Sequence, residues 1–186
     1  PKREYLSGIA EIIKYGIIRD FKFFCWLEEN IVPLVNKEQF TLQCAIKKSC
    51  ENKRDIVSED EKEKGERVLL NFGHTFAHAI ENLTLYNTWL HGEAVSIGMC
   101  MAAKLSNELG MIDRDSNDRI KNLIERSGLP TRSDTGFNAE EFIKVMSLDK
   151  KNNNGQINLI LLEKLGRAVK KSNTSKQMIK DFIESY

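Results

Sequence analysis

Proline occurs at only three of 186 positions, Pro1, Pro33 and Pro130. A chain so poor in helix breakers can run long helices, and its apolar residues recur at helical spacing along most of its length. Leu6, Ile9, Ile13 and Ile17 form one stripe, which predicts a helix over residues 4–18. Further helices are predicted over residues 21–29, rich in aromatics, and 37–56. Charges of both signs crowd residues 51–67, which read as a solvated helix end and loop. Helices over residues 71–82, 92–109, 113–127, 138–148 and 175–184 complete the set, with Gly110, Gly128 and Pro130 as stop signals and Asn138 as a cap. The pattern changes once: Asn152-Asn153-Asn154-Gly155 is a turn signal, followed by strands over residues 156–162 and 166–169. The expected fold class is mostly α, a multi-helix domain with a short β-hairpin near residues 156–170.

Composition narrows the functional classes. Hydrophobic residues are 41% and charged residues 30%, enough for one domain with a real core. With 28 basic and 27 acidic residues the net charge is +1, so no nucleic-acid or membrane-surface footprint is expected. No apolar run approaches the roughly 20 residues that span a bilayer. Nothing at the start resembles a signal peptide. The four cysteines, Cys25, Cys44, Cys50 and Cys100, form no CxxC pair, which removes a zinc-finger reading. They read as small core residues of a reduced, cytoplasmic protein. No strand–Gly-rich turn–helix unit occurs, so no dinucleotide-binding fold is argued for these residues. The chain opens Pro1-Lys2-Arg3-Glu4 without an initiator Met, and is expected to be a piece of a longer protein.

All three histidines fall in one window, at His74, His78 and His91. His74 and His78 are spaced i, i+4 and share a helix face. Zinc peptidases use that spacing in HExxH, but His74-Thr75-Phe76-Ala77-His78 lacks the Glu base, so a peptidase fits poorly. The bland alternative is two polar residues at a helix start, bonded to backbone or water. His91 opens the next helix, and a short connection can bring it beside His74. Two imidazoles need a third ligand for a catalytic zinc, and a carboxylate is the natural one. Glu11, Glu81 and Glu93 all qualify. Glu11 lies between Ala10 and Ile12-Ile13, where a carboxylate is expensive unless paired, or else faces solvent. Lys14 is i+3 from Glu11, Arg67 and Asn71 lead into His74, Lys53 sits in the charged stretch, and Lys150 and Lys151 precede the Asn-rich turn. Singly these are ordinary surface groups. Together they suit an anionic, hydroxylated substrate, since Arg and Lys bind carboxylate and phosphate.

The strings themselves are more specific. Leu70-Asn71-Phe72-Gly73-His74-Thr75-Phe76-Ala77-His78-Ala79-Ile80-Glu81, Leu90-His91-Gly92-Glu93-Ala94-Val95 and Ser7-Gly8-Ile9-Ala10-Glu11-Ile12-Ile13-Lys14-Tyr15-Gly16 resemble the 3-dehydroquinate synthases, as do Gly128-Leu129-Pro130 and Asp149-Lys150-Lys151. The resemblance covers nearly the whole chain in order. It departs at Ala77, where the family usually has Gly, and at Phe72, where it often has Leu.

The resemblance implies that residues 1–186 form the α-helical C-terminal domain of the 3-dehydroquinate synthase fold, with an N-terminal NAD-binding domain outside them. It also implies that Glu11, His74 and His91 hold zinc, or another divalent metal such as cobalt. His78 becomes the substrate-contacting, proton-handling histidine. Lys14, Lys53, Arg67, Asn71 and one of Lys150 and Lys151 become substrate contacts. The implied reaction is conversion of 3-deoxy-D-arabino-heptulosonate 7-phosphate to 3-dehydroquinate and phosphate, in the shikimate route to aromatic amino acids. The implied protein is a cytoplasmic homodimer that binds a small phosphorylated sugar acid and neither nucleic acid nor membrane. The alternatives are a related sugar-phosphate cyclase, a metal-dependent alcohol dehydrogenase, whose motifs match much less well, and a non-catalytic helical module.

Overall fold

A computed structural model of the chain describes residues 1–60, 65–133, 136–148 and 157–186. The described elements run α1 (Lys2–Ile18), α2 (Phe21–Val35), α3 (Gln39–Glu59), a 3-10 helix (Glu66–Asn71), α4 (His74–Leu83), α5 (His91–Glu108), α6 (Arg114–Arg126), α7 (Ala139–Leu148), β1 (Ile157–Lys164), β2 (Arg167–Thr174) and α8 (Lys176–Ser185). The mostly helical expectation with one hairpin is met.

The organising element is α5. Its sequence is apolar or small on every side, and it is buried from Gly92 to Ala103 without interruption. A helix apolar all round belongs in a core, and α1, α4, α6 and β1 pack about this one. Its N-terminus is tied to α1. The Arg3 guanidinium donates to both Glu93 carboxylate oxygens at 2.6 Å and to the Thr88 carbonyl at 2.7 Å. Ser7 Oγ accepts the Gly92 N–H at 2.9 Å.

Among the boundaries that differ from the sequence expectation, three have a clear physical reason. The second helix continues past residue 29 to Val35, because Ile31 and Leu34 extend its buried stripe and Pro33 falls only in the last turn. The helix expected over residues 71–82 is broken. Asn71 ends the 3-10 helix, Phe72 plunges into the core, and Gly73 takes φ +78° before α4 begins at His74. The second strand runs on to Thr174, since backbone pairing with β1 carries the polar residues Lys170 and Lys171, which show no apolar alternation. The hairpin is antiparallel, with Leu161 opposite Val169. Its turn is fastened to the end of α1 by Gly166 N–H donating to the Ile17 carbonyl at 2.9 Å. The turn signal at Asn152–Gly155 lies outside the described residues.

Helix starts follow the capping residues. Asp20, Asp113, Asn138 and Ser175 each accept backbone N–H groups at the start of α2, α6, α7 and α8. The cysteine expectation needs correction. Only Cys100 is buried; Cys25 and Cys44 are half-buried, and Cys50 is exposed on α3. That helix carries a mostly polar sequence, and even its Phe40 and Ile46 face outward. No described helix is long and apolar enough to cross a membrane.

The crossing of α4 on α5 is a backbone contact. A Cβ at Gly98 would lie 2.1 Å from the Gly73 carbonyl oxygen and 3.0 Å from Ala77 N. In an unobstructed helix interior, Gly→Ala stabilises by roughly 1 kcal/mol. Here the sign should invert: Gly98→Ala is expected to destabilise by about 1–3 kcal/mol through overpacking, read as a lower urea midpoint.

Candidate metal centre

Three elements deliver three ligand-type side chains to one point. Glu11 comes from the second half of α1, His74 from the first residue of α4, and His91 from the first residue of α5. Each offers one ligand atom, and the three atoms lie within 4.8 Å of one another. His74 Nε2 is 3.5 Å from Glu11 Oε1. Two ligands each about 2.1 Å from a tetrahedral ion stand roughly 3.4 Å apart, so this edge already has the right length.

The hydrogen bonds fix which atoms face inward. His74 Nδ1 lies 3.1 Å from the Phe72 carbonyl, and His91 Nδ1 lies 2.9 Å from Glu81 Oε1. Carbonyl and carboxylate oxygens only accept, so in the neutral rings both Nδ1 atoms carry the proton and both Nε2 atoms present a lone pair. Lys14 Nζ donates to Glu11 Oε2 at 2.6 Å. Glu11 Oε1 is buried and has no hydrogen-bond partner among the described residues. A carboxylate oxygen facing imidazole lone pairs is unfavourable unless a donor or a cation joins them, and one cation can satisfy all three at once. The donor set of two imidazoles and one carboxylate is that of a catalytic zinc site.

The electrostatics agree. Burial raises the Glu11 carboxyl, but Lys14's charge and hydrogen bond outweigh it and hold the group below the ordinary range. Burial, with Lys14's charge, pushes the His74 imidazole down to about 4, so it stays neutral, as a metal ligand must be. Lys14 is itself lowered by burial, and the neighbouring charge of Lys53 adds to the effect.

The other expected site residues are distributed as follows. His78 is exposed on α4, its ring 5.9 Å from that of His74 and 6.4 Å from that of His91. Lys53 lies on α3 near Lys14, while Arg67 and Asn71 occupy the 3-10 helix that leads into α4. The Asn71 amide donates to the Val68 carbonyl at 3.0 Å. Lys150 and Lys151 lie outside the described residues. Of the three candidate carboxylates, Glu11 joins the cluster, Glu81 binds the far side of the His91 ring, and Glu93 is taken by Arg3 and the Leu90 N–H. Sequence reasoning missed the roles of Arg3, which lies outside every motif, and of Ser7, which opens one but carries no sign of its contact with Gly92. It also missed Glu81's place behind His91, although the i, i+4, i+7 spacing of His74, His78 and Glu81 marks one helix face.

A family profile described as the 3-dehydroquinate synthase C-terminal domain matches residues 8–152. The chain belongs to the 3-dehydroquinate synthase family. The 3-dehydroquinate synthase of Halorhodospira halophila is 50% identical over 169 residues, covering 91% of this chain and 48% of the relative. That of Coxiella burnetii is 47% identical over 186 residues, covering 100% of this chain and 52% of the relative. The chain thus spans about half the length of the curated relatives it matches. Solved structures share the fold. A 2-epi-5-epi-valiolone synthase from Streptomyces hygroscopicus, with NAD+ and Zn2+ bound, has a TM-score of 0.87 at 22% identity over 99% of this chain and 51% of its own. A 2-deoxy-scyllo-inosose synthase, complexed with carbaglucose-6-phosphate, NAD+ and Co2+, has a TM-score of 0.80 at 24% identity over 100% of this chain and 53% of its own.

In this family member the Lys14–Glu11 pair is the centre's internal balance, since Lys14 is only 3% exposed. Breaking a fully buried pair costs about 3–5 kcal/mol. Glu11's side chain is 38% exposed, so Lys14→Met is expected to destabilise the metal-free protein by about 1–3 kcal/mol, less than a fully buried pair because solvent screens Glu11. Urea unfolding measures this. Adding a divalent ion should recover part of the loss.

Proposed function

We propose that this chain is the metal- and substrate-binding half of a 3-dehydroquinate synthase, a phosphate-eliminating lyase. The proposed substrate is 3-deoxy-D-arabino-heptulosonate 7-phosphate, and the products are 3-dehydroquinate and phosphate. One observation carries the reading: an acceptor-only cluster of Glu11, His74 and His91, with Glu11 Oε1 unsatisfied. It sits in a chain whose relatives at 47–50% identity are named for that activity. Zinc, or another divalent metal such as cobalt, is assigned to these three residues. NAD and the remaining substrate contacts are assigned to an N-terminal domain outside residues 1–186, in keeping with the half-length coverage of the relatives. On this reading the 186 residues alone do not turn over, and the intact protein is a cytoplasmic homodimer.

When bound, the metal supplies Lewis acidity toward substrate hydroxyls and the nicotinamide supplies a reversible hydride acceptor. The chain's own residues do the rest. Lys14 holds Glu11 Oε2, which leaves Oε1 for the ion. The Phe72 carbonyl and Glu81 hold His74 and His91 with their Nε2 lone pairs inward. Lys53, Arg67, Asn71, one of Lys150 and Lys151, and the Lys14 donors not given to Glu11 fix the carboxylate and phosphate ends of the substrate, which sets the reacting geometry. His78, exposed beside His74, takes up or delivers a proton at an imidazole nitrogen.

The intact protein, given the heptulosonate phosphate, NAD and a divalent metal, is expected to release dehydroquinate and phosphate in equal amounts. Conversion of a different sugar phosphate in its place would assign it to another cyclase. Its purified form should hold about one metal per chain by elemental analysis. His91→Ala should remove most of that metal. His78→Ala should keep the metal and lower kcat by about 10²–10⁴-fold. Metal loss equal to that of His91→Ala would refute the role given to His78.

A further inference from the structure

We propose that Glu81 is a positioning residue, a buried carboxylate that fixes the tautomer and ring orientation of His91. The inference rests on the metal reading above and deepens it.

Glu81 sits on α4, two turns after His74, and its side chain is only 10% exposed. A carboxylate that far out of water is unfavourable unless something offsets its lost solvation. Its partner is the His91 ring, with Oε1 2.9 Å from Nδ1. His91 needs such a partner more than His74 does. The His74 side chain is 13% exposed and is held by the backbone carbonyl of Phe72, two residues away on its own chain segment. The His91 side chain is 52% exposed, at the first residue of a helix, where little packing restrains the ring. A solvated imidazole rotates and exchanges its proton between the two nitrogens. Only one of those states turns an Nε2 lone pair to Glu11 and His74.

The bond to Glu81 selects that state. The carboxylate can only accept, so in the neutral ring Nδ1 carries the proton and Nε2 is left bare. The bond also leans electron density onto the ring, which strengthens it as a donor to a cation. Glu81 is itself fixed. Its backbone carbonyl accepts the Tyr86 N–H at 2.8 Å, in the turn that returns the chain toward His91. The three-residue cluster already contains a carboxylate, that of Glu11, and Glu81 lies outside it, bonded to His91 Nδ1. Glu81 therefore acts through His91 rather than as a fourth ligand.

The test uses the intact protein and two readouts besides turnover. In the metal-free wild type, nitrogen-15 NMR should show His91 protonated at Nδ1. Glu81→Ala should shift it toward the Nε2–H form that predominates in water. Glu81→Gln keeps an acceptor oxygen and should retain the Nδ1–H form. In zinc titrations against a competing chelator, Glu81→Ala should bind 10–100-fold more weakly than wild type, with Glu81→Gln between the two. An unchanged zinc affinity in Glu81→Ala overturns the inference and leaves the metal reading standing. Zinc loss in Glu81→Gln as complete as in His91→Ala also overturns it, because Glu81 would then be a ligand. A wild type that binds no metal overturns the metal reading, while the His91 tautomer still decides whether Glu81 orients the ring. Should Glu81→Ala fail to fold, the wild-type tautomer and the Glu81→Gln titration decide alone.

Discussion

The distance between α4 and α5 governs everything else in this domain. At Gly98 the central helix presents bare backbone to the Gly73 carbonyl, and Gly73 turns the chain with φ +78° immediately before His74. Because the two helices meet without side chains between them, His74 starts α4 with its ring centroid 5.3 Å from that of His91 at the start of α5. Any side chain at the crossing would move one histidine relative to the other. The apolar mass of α5 anchors that crossing in the core, and the Arg3–Glu93 and Ser7–Gly92 contacts bring α1, with Glu11, to the same end.

The centre is polarised in a consistent sense. Each of its groups has one atom occupied from behind: Glu11 Oε2 by Lys14, His74 Nδ1 by a carbonyl, and His91 Nδ1 by Glu81. What remains in front is lone pairs. Folding normally avoids opposed acceptors in a buried place, since neither can satisfy the other. Here the supporting bonds enforce the opposition. Three acceptors converging in this way suit a cation, which would satisfy all of them at once.

How much of this was legible in the sequence follows from what each signal can encode. Helical periodicity reports which face of an element is apolar, so the helices and the central place of α5 could be read directly. The same periodicity ran through Asn71 and Phe72 without a break, because the motif Asn71-Phe72-Gly73-His74 looks helical until the left-handed Gly73 is known. The choice among Glu11, Glu81 and Glu93 was open on spacing alone. It depends on how α1 crosses α5, a distance that no local pattern carries. Family resemblance named Glu11, and the geometry supplies the reason. Cys50 shows the opposite failure: it reads with the other cysteines as a small core residue, yet α3 turns that face to solvent.

The turn between α4 and α5 shows how function and strain meet. Leu85 and Tyr86 are consecutive, non-glycine and left-handed, with φ +53° and +57°. Such a conformation costs roughly 1–2 kcal/mol per residue, and both side chains lie exposed, at 75% and 66%, so packing does not offset it. The strained pair reverses the chain tightly enough for His91 to return over Glu81, ten positions earlier in sequence. A relaxed, longer turn would spare the backbone but leave His91 without its carboxylate. Strain is retained where surrounding structure over-determines it. Here the determinants are the Glu81–His91 bond on one side of the turn and the Arg3 guanidinium on the Thr88 carbonyl on the other. The turn is held on one side by the bond that orients the proposed metal ligand and on the other by a contact to α1.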